Sequence, residues 1–211
     1  MNFEEMLALV SNEPVFSSAL LLAGREDVQR VRLQLSRWVK GGKIYQVRRG
    51  LYALAPPWQK VGPHPFLVAN RLRRGSYVSL QSALAWHGLI PEYTPVVTSV
   101  GAGRPTVTSN PLGSFVFKHL MPELRFGYLK TVVTKEQSAF VATPEKALLD
   151  LLYLTPKADS VAFIDELRLQ NLSVLDRELL IEMANRANKT KLLRCVKIIE
   201  KLLDDQGDIE V

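Results

Sequence analysis

Apolar residues recur at helical spacing at the front of the chain, first as Phe3, Met6, Leu7 and Val10, later as Val28, Val31, Leu35, Trp38 and Val39. The first set predicts a helix that ends between Asn12 and Pro14, and the second predicts one closed by Gly41 and Gly42. Between them, PVFSSALLLAG predicts a short helix with Ser17 or Ser18 near its start and Gly24 as a left-handed cap. After the glycine pair the period changes to two. Ile44, Gln46 and Arg48 alternate with Tyr45, Val47 and Arg49, RRG supplies a hairpin tip, and Leu51 to Leu54 form the return strand. Three helices followed by a hairpin predict a winged helix-turn-helix over residues 1–60.

PPWQKVGPHP follows, with four prolines in ten residues, and predicts a linker. Beyond it, a helix ending at Gly75, a short extended piece to Val78 and a helix capped by Ser79 and closed at His87 and Gly88 are expected. The runs VVTSV, SFVFKHL, RFGYLKTVV and AFVAT are strand-like and separated by turn residues. TPEKALLDLLYL has a clear helical entry, with Thr143 as cap, Pro144 in the first turn and Leu148, Leu149 and Leu152 expected in a core. Three amphipathic helical patterns, ADSVAFIDELRLQ, DRELLIEMANRAN and TKLLRCVKIIEKLL, complete the chain. The expected class is α+β: the winged helix-turn-helix, then residues 61–211 as a small mixed α/β domain to about residue 158 with a helical tail over 159–211.

Charge sharpens this picture. The 211 residues carry a net charge of +6, and the surplus is concentrated ahead of the linker, where nine Lys or Arg face five Asp or Glu. Such a balance favours an acidic partner. The single cysteine, Cys195, excludes an internal disulfide and a cysteine-based metal cluster, and lies among apolar residues as a buried one would. No apolar run approaches the roughly 18 residues that span a bilayer, and the acidic start is unlike a signal peptide, so a cytoplasmic protein is expected.

Candidate catalytic chemistry is thin. Glu145 and Asp150 are five apart on one predicted helix and do not converge on one metal, although with Lys146 they are what a nuclease or nucleotidyltransferase would offer. His64, His87 and His119 show no ligand spacing, and His87 suits a helix C-terminus. GAGRPT lacks both the dinucleotide spacing and the phosphate-loop lysine, and Ser79 and Ser82 lack a nucleophile-elbow pattern. No catalytic residue, metal or cofactor is expected.

The basic front is the better candidate. On the outer side of the third predicted helix lie Gln29, Arg30, Leu33, Ser36, Arg37 and Lys40, flanked by Arg32 and Gln34, with Lys43, Arg48 and Arg49 on the hairpin. A helix of this kind can enter the major groove, Arg30 and Arg37 reaching guanine and Gln29 or Gln34 adenine, while Lys43, Arg48 and Arg49 hold phosphates. A solvated basic face on a protein-contact module is the plain alternative.

The front with RGLYAL, together with YVSLQSALAWHGL, VFKHL and VATPEKALLDLLYL, resembles the AbiEi-type antitoxins of type IV toxin–antitoxin systems, over approximately Glu4 to Thr155. The resemblance implies a winged helix-turn-helix ahead of an antitoxin domain. It also implies repression of its own operon through operator repeats in double-stranded DNA, and neutralisation of a nucleotidyltransferase-like toxin without a stable complex. A winged-helix regulator with a ligand-sensing second domain is the other non-enzymatic reading.

Overall fold

The structure, a computed structural model, describes residues 1–23, 27–91 and 95–207. Helix α1 (Phe3–Val10) starts in a capping box: the Asn2 side chain accepts the Glu5 amide at 2.8 Å while the Glu5 carboxylate accepts the Asn2 amide. A two-residue strand β1 (Phe16–Ser17) leads into α2 (Ser18–Leu22), and α3 (Val28–Lys40) begins at Asp27, whose carboxylate accepts the Arg30 amide at 2.9 Å. The expected cap Gly24 lies outside the described residues. Strands β2 (Ile44–Arg48) and β3 (Leu51–Leu54) form the expected hairpin, with Gly50 at its tip in the left-handed region at φ +78°. Strand β1 pairs antiparallel with β3, giving a three-stranded sheet in the order β1-β3-β2. At two residues β1 is too short to leave an alternation in the sequence. Val31, Leu35 and Trp38 of α3 pack with Met6, Val10, Phe16, Leu21, Ile44 and Leu54 in a small core of their own.

The second part is built around a six-stranded mixed sheet in the order β6-β7-β5-β4-β9-β8. Its strands are β4 (Tyr77–Val78), β5 (Val96–Gly101), β6 (Thr106–Asn110), β7 (Gly113–His119), β8 (Tyr128–Thr134) and β9 (Gln137–Ala142). Strands β5 and β7 run parallel, as do β4 and β9, and the remaining neighbours are antiparallel. The fold class is α+β, as expected. Strand β6 escaped the sequence reading because TVTSN is a largely exposed edge strand with no apolar face.

Helices α4 (Pro65–Leu72) and α5 (Leu80–Trp86) pack against the sheet, and α6 (Pro144–Leu154) lies deepest. All residues of α6 from Glu145 to Leu152 are buried, including the expected Leu148, Leu149 and Leu152. Helices α7 (Val161–Glu166), α8 (Arg177–Ala187) and α9 (Thr190–Gly207) form the expected helical tail, and they pack into the main core. Leu180, Met183, Ala187, Leu192, Cys195 and Ile199 belong to the same apolar cluster as Leu148, Leu152, Phe115 and Tyr77. Amphipathic patterns showed that these helices bury a face, but not which surface receives it. Cys195 takes the buried role expected of it, its thiol 3.7 Å from the Ala158 carbonyl.

The apolar set of residues 1–60 is not self-contained. Val15, Val47, Leu51 and Ala53 belong to the larger cluster of the second part, so the wing sheet has one face on each core. Polar contacts follow the same seam: Asn110 Nδ2 donates to the Val47 carbonyl at 3.4 Å, and Arg48 Nη2 to the Arg71 carbonyl at 3.5 Å. The expected linker is also tied down. Gln137, buried on β9, accepts the His64 amide and donates to the Gly62 carbonyl, both at 2.8 Å. Proline content marked a chain that cannot continue a helix, and tertiary hydrogen bonds made it a fixed strap rather than a free tether.

Candidate functional site

The expected DNA-facing residues are placed by α3 and the wing. Gln29, Arg30, Arg32, Arg37 and Lys40 are exposed on the side of α3 opposite Val31, Leu35 and Trp38, while Gln34 is half-buried at the margin. No described acidic side chain forms an ion pair with any of them. Leu33, 53 % exposed, stands in the middle of this face. It is an apolar side chain among cations.

The wing residues divide. Arg49 is exposed next to the hairpin tip. Arg48 is exposed but turned back, with Nη1 donating to the Arg49 carbonyl at 3.2 Å and Nη2 to that of Arg71. Lys43 departs from its expected place: it is half-buried, its ammonium 4.5 Å from the Phe3 ring centre and 5.7 Å from that of Trp58. It ties the base of the hairpin to α1 and the strap, so of the three wing cations Arg49 is the freest to meet a phosphate.

A second constellation lies inside the molecule. Lys146 and Asp150, one turn apart on α6, form an ion pair with side chains 3 % and 2 % exposed. Tyr77 from β4 and Ser79 from the β4–α5 junction both donate to Asp150 Oδ2, at 3.0 and 2.8 Å. The expectation that Ser79 caps α5 with its hydroxyl is therefore corrected. It occupies the capping position but makes no side-chain cap bond: its hydroxyl is turned to Asp150, and the Ser82 amide donates instead to Thr98 Oγ1 at 3.2 Å. The partners of Asp150 are thus Lys146, Tyr77 and Ser79. The four-residue Lys146–Asp150 spacing was the available signal, since it brings two side chains to one helix face.

Burial dominates the electrostatics of this cluster. It pushes the Asp150 carboxyl above its ordinary range, against the opposing pull of Lys146 and the two hydroxyls. It pushes the Lys146 ammonium below its ordinary range, with Asp150 resisting. The Tyr77 hydroxyl is driven far upward, first by burial and then by the Asp150 charge. The adjoining cavity of about 10 Å³ has room for about one water molecule. No substrate reaches these groups without opening the core. Leu80, next in the chain to Ser79 and fully buried, is itself in the left-handed region at φ +59°, a conformation that costs about 1–3 kcal/mol and is sustained only by its surroundings.

Glu145 stands in the first turn of α6, at the positive helix end. It is 3 % exposed and its carboxylate accepts the Asp176 amide at 2.9 Å, while Asp176 in turn caps α8 by accepting the Leu179 amide at 3.0 Å. Glu145 thus couples the starts of two helices, and it and Asp150 face different partners. Ser82 is buried between Thr98, whose amide its hydroxyl accepts at 2.9 Å, and the Val96 carbonyl. His87 sits at the C-terminus of α5, as expected, with Nε2 2.8 Å from the Ala142 carbonyl.

No protein-family model matches this chain, and no curated protein matches it. Among the described residues no helix is long and apolar enough to cross a membrane.

Proposed function

We propose that this chain is a DNA-binding antitoxin that represses its own operon through operator repeats, works in the cytoplasm, and counters a nucleotidyltransferase-like toxin without a stable complex. The observation that carries the reading is the outer face of α3, where Gln29, Arg30, Leu33, Arg37 and Lys40 are exposed and no described acid is paired with the cations. A helix with that face, followed by a hairpin, is the arrangement a winged helix-turn-helix uses to enter a major groove, and a basic surface free of internal ion pairs is available to phosphates. The likeness of RGLYAL, YVSLQSALAWHGL and VATPEKALLDLLYL to AbiEi-type antitoxins adds the toxin partner.

An enzyme built on Glu145 and Asp150 is disfavoured by their burial and by their separate partners. The reading of a regulator that senses a small ligand is favoured by one observation, a cavity of about 450 Å³ beside α5.

The test has two arms on the full chain. Binding to the DNA upstream of its own gene, measured against scrambled duplex over a salt series, is expected to be sequence-selective, with log K falling by about 0.9 per log unit of salt for each phosphate contact. Co-expression with the adjacent gene is expected to restore growth that the neighbour alone arrests. Binding that ignores salt, or a neighbour whose expression is harmless, would sink the respective half of the proposal.

A further inference from the structure

We infer that the cavity beside α5 is a binding site for a neutral, planar heteroaromatic molecule that carries a hydrogen-bond acceptor on its ring. At about 450 Å³ it falls within the roughly 300–1,000 Å³ of small-molecule sites. Its wall combines the strap, the start of α4, α5, the start of β5 and the β6–β7 turn, and among the described lining residues none is Asp, Glu, Lys or Arg. A charged ligand would lose its hydration there, and no described side chain of the wall supplies a counter-charge.

The shape of the wall selects an aromatic ring. His64, Phe66 and Trp86 meet edge to face, with ring centres 5.0 Å apart for His64–Phe66, 5.5 Å for Phe66–Trp86 and 6.0 Å for His64–Trp86. Each ring fixes the orientation of the others, so the surface is formed before a ligand arrives. Phe115 lines the cavity too. Trp86 remains 41 % exposed, an area of indole that a second flat ring would cover.

One polar group sets the orientation. His64 Nδ1 accepts the Phe66 amide at 3.2 Å and so caps α4. In the neutral ring the proton therefore sits on Nε2, a donor for which no described residue supplies an acceptor. Burial lowers the pKa of this ring and so favours its neutral form. A ring nitrogen or carbonyl on the ligand would complete the bond. The same wall includes Leu112 in the turn whose Asn110 donates to the Val47 carbonyl of β2, so a ligand here lies next to the seam between the wing and the second part. The inference stands on the cavity and is independent of the DNA-binding reading.

The probe is quinoline, titrated calorimetrically into the full chain at neutral pH, with indole as a ring of similar size that donates but does not accept, and N-methylquinolinium as its charged analogue. Saturable one-site binding of quinoline is expected, with indole at least threefold weaker and N-methylquinolinium at least tenfold weaker. Ala85→Leu, which fills the cavity from α5, is expected to weaken quinoline at least tenfold with an unchanged thermal melt. Trp86→Leu, at the exposed rim, is the second variant and is expected to do the same should Ala85→Leu disturb the fold. Absence of saturable binding, equal affinity for the three probes, or full affinity in a folded cavity variant would overturn the assignment.

Discussion

Lys146 and Asp150 pair with each other one helical turn apart inside the core, with side chains 3 % and 2 % exposed. Removing one partner of such a pair strands the other charge, at a cost of about 3–5 kcal/mol. Lys146→Met is expected to lose that much stability in urea. Adding Asp150→Asn should recover part of the loss, because the amide oxygen still accepts from Tyr77 and Ser79 while the stranded charge is gone. Losses that simply add would show that the two side chains do not act as a pair.

Glu145 satisfies the first amide of the Asp176 cap, and it does so out of water. Glu145→Ala leaves that amide without its partner, so a cost of about 1–3 kcal/mol is expected rather than the few tenths of an exposed dipole interaction. Glu145→Gln keeps the acceptor oxygen and should retain most of the stability. A thermal melt that is the same for Ala and wild type would remove Glu145 from the coupling of α6 to α8.

Gly127 has φ +67°, and a Cβ there would lie 3.0 Å from Met183 Cε and 3.1 Å from Lys146 Cβ and Cγ. Both the backbone conformation and the packing of α6 against α8 demand the missing side chain. Gly127→Ala is expected to destabilise by more than about 1 kcal/mol. A neutral effect on the denaturant midpoint would contradict this close approach.

The His64 ring titrates below its ordinary value because it is partly buried, and its Nδ1 must be unprotonated to accept the Phe66 amide. A lowered pKa means that the unfolded chain binds the proton more readily, so stability is lost as pH falls through the window below about 6.5. The drop in melting temperature between pH 7.5 and 5.5 should be smaller in His64→Asn, which can still cap α4 but does not titrate. An equal drop in both proteins would clear His64 of any part in it.

On the proposed DNA face the residues are expected to separate by role. Arg30→Ala or Arg37→Ala should lose about 1–3 kcal/mol on the cognate site and relax its sequence preference, whereas Arg49→Ala should weaken all duplexes alike. Lys43→Ala should leave DNA affinity nearly unchanged, since Lys43 is held between the Phe3 and Trp58 rings. Uniform effects of all four on cognate and random DNA would refute the groove assignment.

Local pattern determined the elements whose signals lie within a few residues. The α3 stripe of Val31, Leu35 and Trp38, the period-two run into the hairpin, and the Thr143–Pro144 entry to α6 are written in neighbouring positions, because helix period, pleat and capping are short-range physics. The exposed cations of α3 were legible for the same reason, being what remains once the buried stripe is removed. What needed the tertiary structure was every question of partner. Nothing in the sequence near Val47, Leu51 and Ala53 says that their face of the wing joins the second core, or that Gln137 bonds the strap across 73 and 75 residues of chain. Asp150 looked like a lone carboxylate among leucines until the parallel pairing of β4 with β9 and the packing of α5 on α6 brought Tyr77 and Ser79 to it. Side-chain type and spacing fix what a residue can offer; which donor meets which acceptor is decided by sheet order and helix packing, which depend on the whole chain.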